Sequence, residues 1–466
     1  MKIQSLWLCA VGVLGTAAAP AVFAAEPLAE VIVTATRQGQ ALREYAGSVS
    51  RISVDEVGLV GSTHHSEILN RAAGTMIQRN SGQESLTAIR SPVLSGPGSC
   101  GSFLFLEDSV PIRPVGFCNV NELFEVNTEQ AGAIEILRGP AGVVYGSSAM
   151  HGAVNVLQPA PRDLPRHSFG FEFGPDEYYR GRFGFSRTGD TVDFSAQGIV
   201  TDDGGWRADA PLREQKLNMA LASERGDSKF DLRLSATNLN QETAGFIQGK
   251  DAYRDRSIAK SNFNPEAYRD AYAVRLVGHY QRPVGDDLQL DIRPYVRTSR
   301  MDFRQHFLIG KPLEENGQDS LGVLTAVHGW LGDTSLTAGL DLEVADSFLR
   351  QVQEGPATDG PSEVANAIRP AGKQYDYEVR SIVAAVYGLA ERMLSERWKL
   401  SGGVRVEHVE YDYDNRMIAG NTDENGIPCP FSGCLYSRPA DRTDTFTNVT
   451  PKLGLTFLAN DHLAVY

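Results

Sequence analysis

The sequence predicts a mixed α/β domain followed by an antiparallel transmembrane β-barrel. Three observations lead to this fold class. The N-terminus has the layout of a secretory signal. From about Arg166 onwards, apolar and polar residues alternate in runs of roughly ten residues, as in strands with one apolar face. The connections between these runs alternate between short and long, which is how transmembrane barrels are connected.

The N-terminal segment is interpreted as a signal peptide covering residues 1–25. Met1-Lys2 precedes an apolar run over residues 6–22, and Ala24 or Ala25 supplies the small residue that cleavage requires. A membrane anchor is the alternative, but the run is short and rich in Gly, Ala and Pro. No later segment reaches the roughly 20 apolar residues of a spanning helix.

The most specific pattern in the chain lies at residues 134–156, Ile-Glu-Ile-Leu-Arg-Gly-Pro-Ala-Gly-Val-Val-Tyr-Gly-Ser-Ser-Ala-Met-His-Gly-Ala-Val-Asn-Val. It predicts three short strands, Ile134–Leu137, Val143–Tyr145 and Val154–Val156. Glycines and Pro140 between them suit sharp reversals, because glycine tolerates positive φ and proline fixes its own φ. The order of residues resembles the plug signature of TonB-dependent outer-membrane receptors, and the resemblance implies a transport receptor rather than an enzyme.

Two further segments contribute to this resemblance. They are residues 89–91 (Ile-Arg-Ser) and residues 108–111 (Asp-Ser-Val-Pro). Family members usually carry Ile-Arg-Gly and Asp-Gly-Val-Pro at these places, so Ser91 and Ser109 replace the two glycines. The plug-motif residues are Arg90, Arg138, Gly139, Pro140, Tyr145, Gly146, Gly152 and Asn155. An enzyme is the competing class, but the sequence shows no nucleophile elbow, metal triad or phosphate loop.

A β-branched segment follows the predicted cleavage site and favours an extended strand. Composition alone allows it to be the first strand of the domain. Beside the plug signature it resembles a TonB box, the strand that family members present to the TonB protein and its inner-membrane energising complex. Strand addition suits this task because main-chain hydrogen bonds supply the grip. The predicted TonB-binding residues are Glu30, Val31, Ile32, Val33, Thr34, Ala35, Thr36 and Arg37.

The predicted organisation has four parts. They are the signal peptide (1–25), a TonB box with a periplasmic linker (26–40), a plug domain (41–160) and the N-terminal part of a barrel (166–466). Within the plug, Ser62 or Thr63 before Glu67 predicts a helix over 63–69. Short strands are expected at Leu86–Arg90 and Phe103–Leu106.

Two loops rich in Gly, Pro and Ser, Ser91–Ser102 and Arg113–Asn121, correspond in the family to the plug apex that faces the outside. The resemblance therefore implies that ligand first lands here. The predicted ligand contacts are Arg113, Phe117, Asn119 and Asn121. The alternative for each of them is a solvated loop residue that contacts no ligand.

Four cysteines remain once Cys9 is assigned to the signal peptide. An even number in an exported protein favours disulfides, and proximity in sequence favours the pairs Cys100–Cys118 and Cys429–Cys434. A metal site is the competing interpretation, but there is no Cys-x-x-Cys pair and no histidine at ligand spacing.

Thirteen barrel strands are predicted from the alternation. They are Ser168–Gly174, Tyr179–Ser186, Thr191–Val200, Lys216–Ala222, Lys229–Leu239, Ala271–Tyr280, Leu288–Thr298, Leu321–Leu331, Ser335–Ala345, Val379–Ala390, Trp398–Val409, Thr447–Leu458 and one opening at His462. Near His408 the apolar residues move to the other face of the strand. Either a bulge or the membrane boundary explains this change. Barrels of the family have twenty-two strands, and thirteen leave an edge that is costly in lipid. The sequence is therefore expected to be a fragment or a premature stop.

The resemblance implies TonB-dependent uptake of a scarce ligand across the outer membrane of a Gram-negative bacterium. A ferric siderophore is hypothesised as the ligand, because that is the commonest role in the family. Cobalamin, thiamin, haem or a glycan are alternatives with the same mechanism, and a passive porin or adhesin barrel is the alternative from another class. The implied partners also include outer-membrane lipid and the barrel assembly machinery. A net charge of −14 speaks against nucleic acid, and no cofactor or metal is expected.

Overall fold

A computed structural model describes residues 32–34, 37, 39–95, 101–117, 121–460 and 463–466. Among these residues, no helix is both long and apolar enough to cross a membrane. The chain forms a small plug domain followed by a large antiparallel sheet, which is an incomplete barrel. The predicted fold class is confirmed.

The first nine strands of the chain are β1 Ile32–Val33, β2 Gln40–Ala41, β3 Ser48–Ser53, β4 Thr75–Arg79, β5 Ser85–Ile89, β6 Phe103–Glu107, β7 Val110–Pro111, β8 Ala133–Arg138 and β9 Gly152–Leu157. The plug is built on a mixed sheet of five of them in the order β3-β8-β9-β6-β7, in which only β6 and β9 are parallel. Its helices are α1 Val54–Val60, α2 His65–Leu69 and α3 Gly142–Tyr145. Strands β1 and β2 pair with each other, as do β4 and β5.

The plug core lies between this sheet and helices α1 and α2. Ile68 of α2, Phe105 of β6 and Ile134 of β8 are completely buried in one cluster. Burying one such side chain contributes about 1.5–3 kcal/mol. The core therefore fixes the sheet from which the signature turns project.

The prediction of a strand at Val143–Tyr145 was wrong, because these residues form the single helical turn α3. The Tyr145 amide donates to the Ala141 carbonyl at 3.0 Å, and Gly146 ends the turn with φ +82°. Val144 and Tyr145 are buried against the plug sheet in this conformation. Their burial outweighs the weak β-propensity of two valines.

The predicted helix over 63–69 begins two residues late, at His65. The His64 side chain caps it by accepting from the Ser66 amide at 3.1 Å. Glu67 does reach back as a capping-box acid would, accepting from the Thr63 amide at 2.9 Å. Burial of His64, which stacks on His65 with ring centroids 4.1 Å apart, places the cap one residue beyond Thr63.

The two stacked histidines are expected to make the stability of the plug depend on pH. Burial, with Arg79 adding to it, lowers the pKa of His64 to about 3, and burial lowers the pKa of His65 well below 6.5. In the unfolded chain both histidines bind a proton near pH 6.5. The stability of the plug with both histidines neutral is therefore fully present above pH 6.5 and is lost as the pH falls towards 3. At pH 5, His64 alone is expected to cost about 2 kcal/mol of plug stability.

Hydrogen exchange of plug amides at pH 7 and pH 5 measures this loss. The double variant His64→Asn with His65→Gln is expected to flatten the pH dependence, because asparagine still caps the helix and neither residue titrates. His151→Asn, in the turn before β9, is the matched control and should keep the full slope. An equal slope in the double variant would contradict the assignment.

The large sheet contains thirteen strands among the described residues, each paired antiparallel with its neighbour in sequence. They are β10 His167–Gly174, β11 Tyr178–Arg187, β12 Asp193–Asp203, β13 Leu212–Arg225, β14 Ser228–Glu242, β15 Tyr268–Val284, β16 Leu288–Arg304, β17 Leu313–Leu331, β18 Thr334–Gln353, β19 Gly372–Met393, β20 Trp398–Asn415, β21 Arg442–Asn460 and β22 Leu463–Val465. All thirteen predicted segments are found. Most are longer than predicted, because the strands continue beyond the apolar band.

The connections alternate in length as predicted. Short turns follow β13, β15 and β17, and long loops follow β14, β18 and β20. Two of these loops carry short helices, α4 Arg256–Lys260 and α5 Glu363–Ala367. The end of the sheet with the long loops is called the loop end below.

The change of sides near His408 is not a bulge. Strand β20 pairs with both neighbours from Lys399 to Tyr413 without a register shift. Val409 faces inward and is buried, whereas the next outward residue is Glu410. The outer face thus turns polar at the membrane boundary while the inner face turns apolar.

The structure contains the predicted disulfide Cys429–Cys434 in the loop after β20. The other predicted pair, Cys100–Cys118, lies outside the described residues.

Candidate functional site

A cavity of about 590 Å³ lies between the plug loop after β7 and the inner faces of β17 to β21, at the loop end. Most of its large side chains are aromatic. The lining residues are Val115, Gly116, Phe117, Asn316, Ser347, Phe348, Leu349, Tyr377, Val379, Ser381, Tyr411, Tyr413, Pro439, Arg442, Asp444 and Phe446.

The aromatic rings of the barrel wall pack against one another. Tyr377 and Tyr413 have ring centroids 5.1 Å apart, and Tyr411 meets Phe446 edge-on at 6.1 Å. Such contacts hold the rings in fixed orientations. The cavity is therefore a preformed aromatic surface.

At Gly116 the main chain of the plug loop packs directly against the barrel wall. Gly116 has φ +88°, and a Cβ atom at this position would lie 2.7 Å from the Tyr411 hydroxyl. Only glycine permits this approach without displacing the tyrosine. Gly116 thus lets the plug loop touch the barrel wall.

The charged groups that line the cavity neutralise each other. Arg442 Nη2 donates to Asp444 Oδ1 at 2.5 Å. A flat aromatic ligand can stack on the tyrosines, and phenolic hydroxyls can exchange hydrogen bonds with polar groups on it.

Away from the cavity, the N-terminal segment is held against the inner face of the large sheet. Arg37 is buried and forms a bidentate ion pair with Asp341 of β18, with Nη1–Oδ1 and Nη2–Oδ2 distances of 2.7 and 2.9 Å. Asp341 also accepts from Arg405 of β20 at 2.7 Å. Burial alone would lower the pKa of Arg37, but Asp341 more than offsets this and the pKa is raised. Arg37 is therefore a permanent cation in this pair.

Thr34 is fixed by residues of the signature. Its amide donates to Glu135 Oε2 at 2.9 Å, and its carbonyl accepts from the Tyr145 hydroxyl at 3.2 Å. Asn155 Nδ2 reaches the Thr34 hydroxyl at 3.3 Å. The signature residues Tyr145 and Asn155 thus bind the segment that precedes the plug.

Other signature residues shape the plug surface. Arg90 and Arg138 both donate to the Ser48 hydroxyl, at 3.2 and 2.9 Å. Burial and the neighbouring Arg90 lower the pKa of Arg138. At Gly152 a Cβ atom would lie 2.1 Å from the Leu137 carbonyl oxygen, so no other residue fits there.

Two family models match this chain. The TonB-dependent receptor plug domain matches residues 41–153, and the TonB-dependent receptor-like β-barrel matches residues 161–466. The chain belongs to the TonB-dependent receptor family. Family membership places it in the outer membrane of a Gram-negative bacterium, as predicted.

Two curated relatives of this receptor cover most of the chain. The catecholate siderophore receptor Fiu of Escherichia coli O157:H7 is 22% identical over 368 residues, covering 68% of the chain and 48% of Fiu. The pesticin receptor of Yersinia pestis is 25% identical over 435 residues, covering 88% of the chain and 60% of that protein. The chain therefore spans about half to three fifths of the length of these relatives.

Solved structures share its fold. The unliganded ferric citrate transporter FecA superposes with a TM-score of 0.70 at 16% identity, covering 90% of this chain and 62% of FecA. The open form of the ferric-catecholate receptor Fiu from Escherichia coli K12 gives a TM-score of 0.68 at 15% identity, covering 91% and 69%.

Of the predicted ligand contacts of this receptor, Phe117 lines the cavity. Arg113 is buried and faces Glu122 at 3.7 Å, and Asn121 accepts from the Ser85 amide at 2.8 Å. Both lie within plug contacts, and Asn119 lies outside the described residues.

The barrel tyrosines that line the cavity were not among the predicted site residues. A signal for two of them was present, because Tyr411 and Tyr413 continue the face that turns apolar after His408. Of the predicted TonB box, residues 32–34 and 37 are described. Ile32 and Val33 pair with β2, Thr34 binds the signature, and Arg37 pairs with Asp341.

Proposed function

We propose that this receptor takes up a ferric siderophore across the outer membrane by a TonB-driven mechanism. One observation carries the proposal. The plug signature holds a strand-forming N-terminal segment on one side, through Tyr145 and Asn155, and the plug presents Phe117 to an aromatic cavity at the loop end. A ligand site and a force-bearing segment on the same small domain suit active transport.

The cavity supports an aromatic iron chelate as the ligand. Tyr377, Tyr411, Tyr413 and Phe446 offer stacking surfaces, and catechol-like rings stack well on such surfaces. A relative named as a catecholate siderophore receptor is consistent with this class of cargo.

The N-terminal segment supports TonB as the partner. Ile32 and Val33 are already extended and pair with only two residues, Ala41 and Gln40. Exchange of this short pairing for a strand of the TonB protein would conserve main-chain hydrogen bonds. The predicted TonB box, Glu30–Arg37, is thus the segment that the TonB protein binds and pulls.

A binding experiment tests the ligand class. Tyr411→Ala is expected to weaken binding of a ferric tris-catecholate to outer membranes by about tenfold, since a lost aromatic contact costs roughly 1–1.5 kcal/mol. Tyr411→Phe keeps the ring and loses only the hydroxyl, so it should bind within about threefold of wild type.

Phe169→Ala is the control, because that ring is 84% exposed on the first strand of the sheet, far from the cavity in sequence and absent from its lining. If Tyr411→Ala binds the chelate as tightly as wild type, the siderophore assignment fails. If cobalamin or haem is then taken up under the same conditions, that compound replaces the siderophore as the assigned ligand.

A further inference from the structure

All described ion pairs between the plug domain and the large sheet have the same polarity. The carboxylate belongs to the plug and the cation to the sheet, in the pairs Glu44–Lys399, Glu84–Arg269, Glu107–Arg275, Glu125–Arg275, Asp108–Arg233 and Glu129–Lys216. The N-terminal segment, which precedes the plug, has the opposite polarity at Arg37 and Asp341. The two sets of charges therefore lie on separate domains wherever the plug itself meets the wall.

Four of these cations follow one another down the inner faces of β13, β14 and β15. In order from the loop end they are Arg269, Lys216, Arg275 and Arg233, at the levels of residues 269, 273, 275 and 277 of β15. This distance is about 27 Å along the strand. We call these four residues the cation ladder.

The plug carboxylates neutralise the ladder at short range, with nitrogen–oxygen distances of 2.9 to 3.3 Å. Among the described residues, Lys216 is the one ladder cation that also has a carboxylate of the sheet within 4.0 Å, Glu214 at 3.2 Å. Arg233, Arg269 and Arg275 have plug carboxylates alone within this range. Movement of the plug away from this wall would therefore leave three arginines without a counterion.

The arginines of the ladder are buried, so the loss of their counterions is costly. The side chains of Arg269 and Arg275 are each 4% exposed. Arg269 is also held by the wall itself, because its guanidinium lies 4.2 Å from the ring centroid of Phe303 on β16. When the plug moves, the wall thus presents fixed cations that an anionic solute can bind in place of the plug carboxylates.

We propose that the cation ladder is the path by which an anionic iron chelate passes the plug, taking the place of the plug carboxylates in turn. The inference rests on the proposed function, because TonB-driven movement of the plug separates the two sets of charges. A ferric tris-catecholate is an anion, since its doubly deprotonated rings outweigh the charge of Fe³⁺. In the resting receptor the ion pairs are closed, so the ladder acts on translocation and not on binding at the aromatic cavity.

Exchange of the two charges at the top of the ladder tests this path. Glu84→Arg with Arg269→Glu keeps an ion pair between plug and sheet but places the anion on the wall. Accumulation of radiolabelled ferric tris-catecholate by whole cells is expected to fall by about tenfold or more, because the wall then repels the chelate. The neutral pair Glu84→Gln with Arg269→Gln should lower accumulation by about threefold, since it removes attraction without adding repulsion. Equilibrium binding at the cell surface should match wild type in both variants.

Glu56→Arg with Arg71→Glu is the matched control. This ion pair, at 2.6 Å, lies on the plug surface and involves no residue of the sheet, so its exchange should leave accumulation unchanged. Compact migration on unheated gels shows that each variant has assembled.

The outcomes separate the ladder from the proposed function. Normal accumulation in the exchanged pair Glu84→Arg with Arg269→Glu would show that the ion pair merely holds the plug, and would overturn the ladder. Equal losses of surface binding and accumulation would overturn it too, because the ladder acts after binding. If wild type itself does not accumulate the chelate, the proposed function fails and the ladder falls with it.

Discussion

Val33→Pro is expected to abolish energised uptake while leaving ligand binding intact. Strand addition to the TonB protein depends on main-chain donors, and proline removes a donor and fixes φ. Val33 pairs with Gln40 in this structure and is not among the residues that line the aromatic cavity. Accumulation of radiolabelled iron should fall to the level of cells without TonB, and surface binding at equilibrium should match wild type.

Val33→Ala is the control for this result. It keeps the amide donor and shortens only the side chain, so uptake should stay within about threefold of wild type if main-chain bonds dominate. Normal uptake by Val33→Pro would contradict a TonB-driven mechanism and favour a passive barrel. Loss of both binding and uptake would point to a misassembled receptor, which gel migration identifies.

Arg37→Met should release the N-terminal segment from the sheet. Removing one partner of a buried ion pair usually costs about 3–5 kcal/mol. Here Arg405 still compensates Asp341, so about 2–3 kcal/mol is expected. Hydrogen exchange at residues 39–41 should accelerate by roughly 30- to 150-fold as this part opens locally. The rest of the plug should exchange as in wild type.

Arg71→Met is the matched control for Arg37. The Arg71 side chain is 50% exposed and its Nε lies 2.6 Å from Glu56 Oε1, so this surface pair is expected to contribute less than about 1 kcal/mol. Asp341→Asn should reproduce the release seen with Arg37→Met. Unchanged exchange at residues 39–41 in both variants would show that β1–β2 pairing, rather than Arg37, holds the segment.

Local patterns were sufficient for much of the fold. The two-residue alternation located all thirteen strands of the sheet, because a strand that separates lipid from a polar interior must alternate. Alternation failed at Val143–Tyr145, where three residues between two glycine turns became α3. A segment this short has no period, so burial of Tyr145 decided its conformation.

The candidate site was only partly predictable for the same reason. The sequence indicated Phe117, which lines the cavity, because its loop has a composition that marks an exposed turn. Tyr377 and Phe446 belong to strands separated along the chain by a long loop, and register alone brings them to one cavity. The partner of Arg37, 304 residues away, carries no signal in a single sequence.

The sequence by itself determined the family of this protein, the strand number of its sheet and the turns that need glycine, because these depend on residue type and local spacing. The tertiary structure decided which side chains meet: Asp341 with Arg37, Tyr145 with Thr34, and Gly116 with Tyr411. Such contacts depend on the register of distant strands and on how the plug sits against them. No local property of the chain encodes either quantity.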